Sequence, residues 1–267
     1  MTKPPVFVGG AGRSGTTLLR VILDSHPNIA CGPELKVGQI IAKAWFSFRT
    51  SYAQVLSSYS FTKNDINELF AGVMLKLLEK YRLQAGKARS AEKSPNNVKI
   101  FGHLHEMFPG SPMVHMVRDG RDVAASLLTM NWFTPEGKPV AYCRDAGLAA
   151  QYWADAVRAA HTFRDHSPDT RAAFYELRYE DLVRDPEAAL RPLFRFIDEP
   201  WDPRVLEFHK QRRNLAAESS AEQVCKGVYR SSMGRWERDL NAEQKQAVKH
   251  RAGRMLTELG YAEDLSW

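Results

Sequence analysis

Residues 9–19 read Gly9-Gly-Ala-Gly-Arg-Ser-Gly15-Thr-Thr-Leu-Leu19, a glycine-rich stretch between a short apolar run at 5–9 and further apolar residues. The run predicts a strand, and apolar positions at 18, 19, 22 and 23 have the spacing of a buried helical face. Glycines at such a junction let backbone N–H groups approach an anion, and the helix N-terminus adds about half a positive charge. The stretch therefore predicts a phosphate-binding loop in an α/β protein.

The spacing of this loop is that of a P-loop, but Thr16 stands where nucleotide kinases carry a lysine for the β- and γ-phosphates of ATP. The loop is still expected to bind a phosphate, but not to carry the residues that act on the γ-phosphate of ATP. Arg13 can supply a planar cation to a second anionic group beside the phosphate. The alternative interpretation, a tight glycine turn before a core helix, is disfavoured because Thr16 and Thr17 open the helix.

The rest of the chain alternates between predicted strands and predicted helices. Strands are predicted at 113–117 and 174–179, and helices at 36–60, 64–82, 96–108, 122–129, 146–165 and 185–197. Asn64 or Asp65 is the expected cap of its helix. Strands alternating with helices favour a parallel sheet covered on both faces. We therefore expect one α/β domain over 1–267, with helical insertions and a mobile loop at 204–238.

The composition fits an ordinary globular protein, with 44% hydrophobic and 25% charged residues among 267. No apolar run approaches the 18 or so residues of a membrane-spanning helix, and the first residues lack a secretory signal pattern. A cytoplasmic protein without a membrane span is the expectation. Its three cysteines are far apart, which argues against a disulfide framework or structural zinc.

The net charge of +6 is unevenly distributed along the chain. Residues 1–130 and 204–238 carry +7 and +4, whereas 131–203 and 239–267 carry −4 and −1. No basic stripe on a helical period and no basic tail is present, so a nucleic-acid partner is not expected. A few placed cations around a small anionic ligand explain the excess as well.

Four motifs point to a known family: Gly12–Arg20, Leu23–Pro27, Cys31–Glu34 and Met116–Arg121. They resemble those of the sulfotransferases that use 3′-phosphoadenosine 5′-phosphosulfate (PAPS), above all the tyrosylprotein sulfotransferases and their bacterial relatives. The resemblance covers about 5–35, 90–130 and 174–197. It implies a P-loop fold like that of the nucleotide kinases, with a central parallel sheet flanked by helices. It also implies PAPS as co-substrate, 3′-phosphoadenosine 5′-phosphate (PAP) as product, and no metal.

The resemblance assigns nucleotide contacts residue by residue. Arg118 and Ser126 match the pair that binds the 3′-phosphate, and Tyr179 matches a position near the nucleotide. For Arg118 the alternative is a surface salt bridge with Asp119 or Asp122, and for Tyr179 it is packing. Arg230 and Ser231 match loosely a loop that closes over PAPS. The 5′-phosphosulfate loop corresponds to Arg13, Ser14, Gly15, Thr16 and Thr17.

The same resemblance implies catalytic roles for three residues. Glu34 matches the base that takes the proton of the acceptor hydroxyl, and Lys93 matches the lysine near the bridging oxygen. Sulfuryl transfer is by analogy an in-line displacement, so cations are needed at the sulfonate and leaving phosphate, and Arg13 and Lys93 would supply them. The alternatives are a solvated loop carboxylate for Glu34 and a surface charge for Lys93.

The acceptor stays open between a small-molecule, a glycan and a peptide hydroxyl. Aromatic residues at 45, 46, 48, 52, 132 and 133 could line an acceptor pocket, although core packing or a homodimer contact is favoured. His103, His105 and His115 suggest the histidine base of small-molecule sulfotransferases, but packing is again favoured. The rival functions are an ATP-dependent kinase with an aberrant P-loop and a non-catalytic nucleotide- or nucleic-acid-binding module.

Overall fold

A parallel five-stranded sheet organises the fold in the computed structural model, which describes residues 3–210 and 232–267. The strand order is β2-β3-β1-β4-β5, and every neighbouring pair is parallel. The strands are β1 (Val6–Gly9), β2 (Ile29–Cys31), β3 (Arg89–Lys93), β4 (Met113–Val117) and β5 (Phe174–Arg178). The predicted central parallel sheet is confirmed.

Helices cover both faces of this sheet. In the described residues they are α1 (Thr16–Ser25), α2 (Gly38–Arg49), α3 (Ala53–Ser58), α4 (Lys63–Gln84), α5 (Phe101–Met107), α6 (Gly120–Leu127), α7 (Ala146–Arg164), α8 (Pro168–Ala172), α9 (Tyr179–Arg184), α10 (Pro186–Phe196), α11 (Trp236–Asp239) and α12 (Ala242–Glu258). Short 3₁₀ segments lie at Pro95–Lys99, Ala141–Cys143 and Pro203–Lys210.

Several predicted elements are wrong in detail. The expected helix at 36–60 is two helices, α2 and α3, and the one at 96–108 is a 3₁₀ segment followed by α5. Thr62 caps α4, with Asp65 completing a capping box as its third helical residue, so neither expected cap is correct. Strands β2 and β3 and helices α8, α9 and α12 lie outside the predicted elements. The two strands are short or polar and depend on tertiary neighbours, so the sequence pattern does not indicate them.

Alternate residues of β1 point into two separate cores. Phe7 packs on one face with residues of α4, α5 and α7, whereas Val6 and Val8 pack on the other with α1 and α10. Strands buried on both faces are the expected result when crossover helices cover a parallel sheet. Because all five strands are parallel, their carboxyl ends lie along one edge of the sheet.

Strands β1 and β4 are neighbours, but their onward connections lead to opposite sides of the sheet. Open α/β sheets bind ligands in the crevice formed at such a switch point, outside the carboxyl ends of the strands. The glycine-rich loop follows β1 and Arg118 follows β4. The topology therefore brings two of the predicted nucleotide-binding segments to one crevice.

The expected mobile loop at 204–238 is described only at its two ends. Residues up to Lys210 form a 3₁₀ segment, and α11 begins at Trp236. Arg230 and Ser231 lie outside the described residues. Within the described ranges, no helix combines the length and apolar character that crossing a membrane requires.

Replacing Gly120 with alanine is expected to lower the free energy of unfolding by about 1–3 kcal/mol. The added Cβ would lie 2.5 Å from the buried Trp153 ring, whose indole N–H donates to the Arg118 carbonyl at 2.9 Å. Urea denaturation measures the effect. Gly102→Ala is the control, since its Cβ meets nothing within 4 Å. Equal stability of the Gly120 variant and the parent would contradict the close packing of Gly120 against the Trp153 ring.

Candidate active site

The loop between β1 and α1 requires glycine at position 15. Gly15 caps α1 in the left-handed region, with φ of 94°. A Cβ there would lie 2.5 Å from Cδ2 of Tyr179. Arg13 also has a positive φ, of 72°, so the loop turns tightly at both residues. Glycine is therefore demanded by both the backbone conformation and the adjacent ring.

Polar groups of this loop are buried and ready for an anion. The N-terminus of α1 has no side-chain cap, so the first amide groups of the helix keep their hydrogen-bonding capacity. Ser14 is buried, and its Oγ has no hydrogen-bond partner among the described residues. An unsatisfied buried hydroxyl is costly unless a ligand accepts from it or donates to it. Both observations fit a bound phosphate or sulfonate.

A fully buried lysine joins the loop to the segment that follows β2. Lys93 ends β3, and its Nζ lies 2.5 Å from Oε1 of Glu34 and 3.2 Å from Oγ1 of Thr17. The Glu34 side chain keeps 25% of its surface exposed. The surface-charge alternative for Lys93 is wrong, since the ammonium is buried beside the start of α1. Glu34 pairs with it while remaining open to a ligand.

Glu92 holds the segment that carries Glu34 in place. Its Oε1 accepts from the Leu35 N–H at 3.3 Å and from the Ser94 hydroxyl at 2.7 Å, while Oε2 accepts from Asn97. Asn97 also donates to the Val8 carbonyl at 3.0 Å. Burial raises the pKa of Glu92, and the three donors oppose that shift. One carboxyl group thus connects β1, β3 and the Glu34 segment.

Arg118 is buried where β4 ends. Its guanidinium donates to the carbonyls of Arg13, at 3.1 Å, and of Ser232, and lies over the Tyr179 ring. Asp122 Oδ2 is 3.6 Å away. The alternative interpretation, a surface salt bridge, is correct about the partner Asp122 but wrong about the location, because Arg118 is buried. The Nε atom of Arg118 has no hydrogen-bond partner in the described part of the chain, which leaves a buried donor for an anion.

Ser126 lies in α6 on the other side of Arg13. Its Oγ accepts from Arg13 Nε at 3.1 Å. The structure thus links Arg118 and Ser126 to Arg13 through different groups, the first through the Arg13 carbonyl and the second through its side chain. The predicted cofactor residues 13, 118 and 126 are neighbours, although they are separated widely in the sequence.

Asp122 anchors the segment around residues 234–236 to helix α6. Its carboxylate accepts from the N–H groups of Gly234 at 2.9 Å and Trp236 at 3.1 Å. Tyr179 Oη lies 2.7 Å from Ser232 Oγ, so Tyr179 makes a polar contact in addition to packing on Gly15. The pKa of Asp122 is raised because its carboxyl group is buried, and the nearby Arg118 guanidinium offsets only part of that shift. Residues 232–236 are therefore fastened to the β4 end of the crevice.

Aromatic side chains border the loop near Gly12. Tyr152 Oη accepts from the Gly12 N–H at 2.9 Å, and its ring stacks on Tyr142 with centroids 4.3 Å apart. Burial raises the pKa of Tyr152 to about 12, so it stays a neutral phenol. A Cβ on Gly12 would lie 3.5 Å from Trp132. Trp132, Tyr142 and Tyr152 therefore form an aromatic wall beside the loop.

The other aromatic candidates divide between core and surface. Trp45 is buried and Phe48 partly buried, as core packing predicts, whereas Phe46, Tyr52 and Phe133 are more than half exposed.

The histidines considered as bases lie in packed surroundings. His103 packs on Trp45 and His105 on Phe163. His115 lies within β4, and Glu176 Oε2 is 2.9 Å from its Nδ1 and 2.8 Å from His161 Nε2. The ring nitrogens of His115 and His161 and the carboxylate oxygen of Glu176 lie within 4.8 Å of one another. The sequence did not predict that these three residues come together.

A family model described as "Sulfotransferase family" matches residues 4–203. The chain belongs to the sulfotransferase family. The resemblance inferred from its motifs is thereby confirmed. The match includes the glycine-rich loop, Glu34, Lys93, Arg118 and the strands that carry them.

Curated relatives support the same family assignment. The chain is similar to a protein-tyrosine sulfotransferase of Drosophila melanogaster, with 31% identity over 97% of this chain and 52% of the relative. It is 29% identical to protein-tyrosine sulfotransferase 1 of Danio rerio, over 97% of this chain and 72% of that protein. The chain thus spans about half the length of the fly relative.

Solved structures share the fold at lower sequence identity. The sulfotransferase domain from the Synechococcus PCC 7002 olefin synthase has a TM-score of 0.67 and 21% identity, covering 96% of each chain. A mouse sulfotransferase complexed with PAP has a TM-score of 0.60 and 14% identity, covering 98% of this chain and 88% of its own. The predicted P-loop α/β fold is confirmed.

Glu92→Gln is expected to lower the free energy of unfolding by about 1–3 kcal/mol. A side-chain amide places its NH₂ group against either Asn97 or the Leu35 and Ser94 donors, so at least one hydrogen bond is lost. Urea denaturation measures the change. The exposed Glu187→Gln serves as control, with an expected change below about 0.5 kcal/mol. A Glu92 variant as stable as that control would contradict the role of the buried carboxyl.

Proposed function

We propose that this chain is a PAPS-dependent sulfotransferase that transfers a sulfuryl group to an acceptor hydroxyl. The observation that carries the proposal is the position of Lys93. Its buried ammonium lies between the P-loop helix, at Thr17, and the carboxylate of Glu34. A cation and a base thus meet beside an anion-binding loop that lacks the usual kinase lysine.

The loop residues offer a site for the 5′-phosphosulfate. The unpartnered hydroxyl of Ser14 and the uncapped N-terminus of α1 supply donors that an anionic group can use. Arg13, Gly15, Thr16 and Thr17 complete this loop. PAPS supplies an activated sulfuryl group on a phosphate leaving group, so the chain must bind and orient it and neutralise developing charge.

The 3′-phosphate is assigned to the β4 side of the crevice. The buried Arg118 has a free Nε donor, and Ser126 lies next to Arg13. Tyr179 packs between the loop and Arg118, where it supports the nucleotide site. Arg230 and Ser231 remain candidates for further contacts to PAPS on the basis of the family resemblance.

Glu34 acts as the base in the proposed reaction. Its carboxylate takes the proton of the acceptor hydroxyl while the new oxygen–sulfur bond forms and the bond between sulfur and the bridging oxygen breaks. Lys93 and Arg13 stabilise the charge on the sulfonate and the leaving phosphate. PAP is the departing product, and this in-line step uses no metal.

The acceptor is a hydroxyl on a small molecule, a glycan or a peptide. Two of the relatives are named protein-tyrosine sulfotransferases, which makes a tyrosine phenol the first acceptor to test. Trp132, Tyr142 and Tyr152, the aromatic wall, are only partly buried, so they offer aromatic surface beside the loop against which an acceptor ring can pack.

PAP is expected to raise the melting temperature of the protein, whereas ATP with Mg²⁺ is not. Arg118→Ala should weaken PAP binding by about 1.5–3 kcal/mol, or roughly 10- to 150-fold in Kd, because a phosphate loses a charged partner. Isothermal titration calorimetry measures it. Arg118→Lys keeps a cation beside Asp122, and the exposed Arg191→Ala should bind like the parent.

Stabilisation by ATP with Mg²⁺ alone would favour the kinase alternative, and stabilisation by single-stranded DNA alone would favour a binding module. Either result would overturn the proposed function. Unchanged PAP affinity in both Arg118 variants would remove that residue from the nucleotide site.

Glu34→Gln is expected to bind PAP within about threefold of the parent yet lose at least about 100-fold in kcat, because an amide cannot take the hydroxyl proton. Transfer from ³⁵S-labelled PAPS to a tyrosine peptide, a phenol and a sugar provides the assay. The half-exposed Glu258→Gln is the matched control and should transfer normally. Normal turnover by the Glu34 variant would rule out this base.

A further inference from the structure

Tyr152 of α7 places a hydroxyl group against the start of the glycine-rich loop. Its Oη accepts the Gly12 N–H at 2.9 Å, and Gly12 directly precedes Arg13. That bond uses a lone pair of the phenol oxygen and leaves the hydroxyl hydrogen unused. Among residues 3–210 and 232–267, no group accepts this hydrogen. A partly buried donor beside an anion-binding loop is therefore available to a ligand.

The phenol oxygen is fixed in position by its surroundings. The Tyr152 ring stacks on Tyr142, with the two planes 15° apart. The next residue, Trp153, is fully buried and donates to the Arg118 carbonyl at 2.9 Å. A Cβ on Gly12 would lie 3.3 Å from Tyr152 Oη, so the loop backbone approaches the hydroxyl closely. A donor held in this way loses little conformational entropy when it binds a ligand.

Charged groups near the phenol favour an anionic ligand for its hydrogen. Lys99 Nζ lies 5.6 Å from the centroid of the Tyr152 ring, so a cation stands beside it. Burial raises the pKa of Tyr152 to about 12, and the Glu34 carboxylate adds to that shift. Glu34 thus lies close enough to act on the phenol electrostatically. A hydroxyl that accepts an N–H bond also becomes a stronger donor, because linked hydrogen bonds polarise one another.

We propose that Tyr152 is a further catalytic residue, whose hydroxyl donates a hydrogen bond to a sulfonate oxygen of PAPS. This inference rests on the proposed function. Gly12 directly precedes the loop residues assigned to the 5′-phosphosulfate, and Tyr152 takes the hydrogen of its amide. The phenol passes that hydrogen bond on, with the Gly12 N–H bound to Oη and the O–H directed at the ligand.

The position of Glu34 selects the sulfonate over the 5′-phosphate as the partner of this hydroxyl. The base must lie beside the acceptor oxygen that attacks sulfur, and the phenol feels the charge of the same carboxylate. No bond to Tyr152 forms or breaks, and its proton stays on the phenol oxygen. Tyr152 therefore holds the sulfonate and stabilises its charge while Glu34 takes the proton of the acceptor hydroxyl.

Tyr152→Phe is expected to weaken PAPS binding about tenfold and to leave PAP binding within about threefold of the parent, because PAP has no sulfonate. Isothermal titration calorimetry without an acceptor measures both constants. In the transfer assay, kcat should fall at least about tenfold, with the acceptor KM within about threefold of the parent. Tyr175→Phe is the matched control. It removes the hydroxyl of a partly buried tyrosine of β5 that packs on Phe196, and should behave like the parent.

The two nucleotides separate a catalytic role from a structural one. Equal losses of PAPS and PAP affinity in Tyr152→Phe would mean that the hydroxyl only supports the loop through Gly12, which overturns the inference. An unchanged kcat, or a raised acceptor KM alone, overturns it as well. All of these results leave the proposed function intact. A parent that binds neither PAP nor PAPS overturns that function, and this inference with it.

Replacing Tyr152 with difluorotyrosine separates the two hydrogen bonds of the hydroxyl. The fluorinated phenol is more acidic, and its phenolate still accepts the Gly12 N–H but has no hydrogen to donate. As pH rises through the lowered pKa, kcat should fall while PAP affinity and circular dichroism stay unchanged. The parent should keep its kcat over the same range, because the pKa of its Tyr152 is about 12. A fluorinated protein with the pH profile of the parent overturns the proposal.

Discussion

A buried lysine at the end of a central strand is the constraint on which the site depends. Taking an ammonium out of water costs several kcal/mol even after relaxation, so it must meet a charged partner and further acceptors. Glu34 supplies the charge for Lys93, and Thr17 supplies a hydroxyl. The segment after β2 and the start of α1 are therefore both drawn to the end of β3.

The same arrangement explains how the loop can work without a lysine of its own. In a kinase P-loop the cation is part of the loop, whereas here Thr16 occupies that position and the ammonium arrives from β3. Glu92 adds rigidity, since its carboxyl group fixes Leu35 and Asn97 around the same strand end. In the proposed reaction, the cation and the base are consequently held by one connected set of hydrogen bonds.

A second polar cluster builds the other side of the crevice. Arg118 connects the loop carbonyl of Arg13 to Ser232, and Asp122 holds the following amide groups. Tyr179 packs against Gly15 and beneath the Arg118 guanidinium. The loop, the end of β4 and the start of α9 thus share side chains, so a change in one of them is felt by the others.

The sequence by itself determined the glycine-rich loop, the strand before it and the helix after it. These elements are visible in the spacing of glycines and apolar residues, which is a local property of the chain. Its motifs also indicated the family, the parallel sheet and the residues to examine. Strands β2 and β3 were not predicted, since a three-residue segment and the sequence Arg-Ser-Ala-Glu-Lys form strands only when they pair with neighbouring strands of the sheet. Only the tertiary structure decided that Lys93 is buried against Glu34 and that Glu92 supports it, because burial and pairing of charges are set by residues distant in sequence.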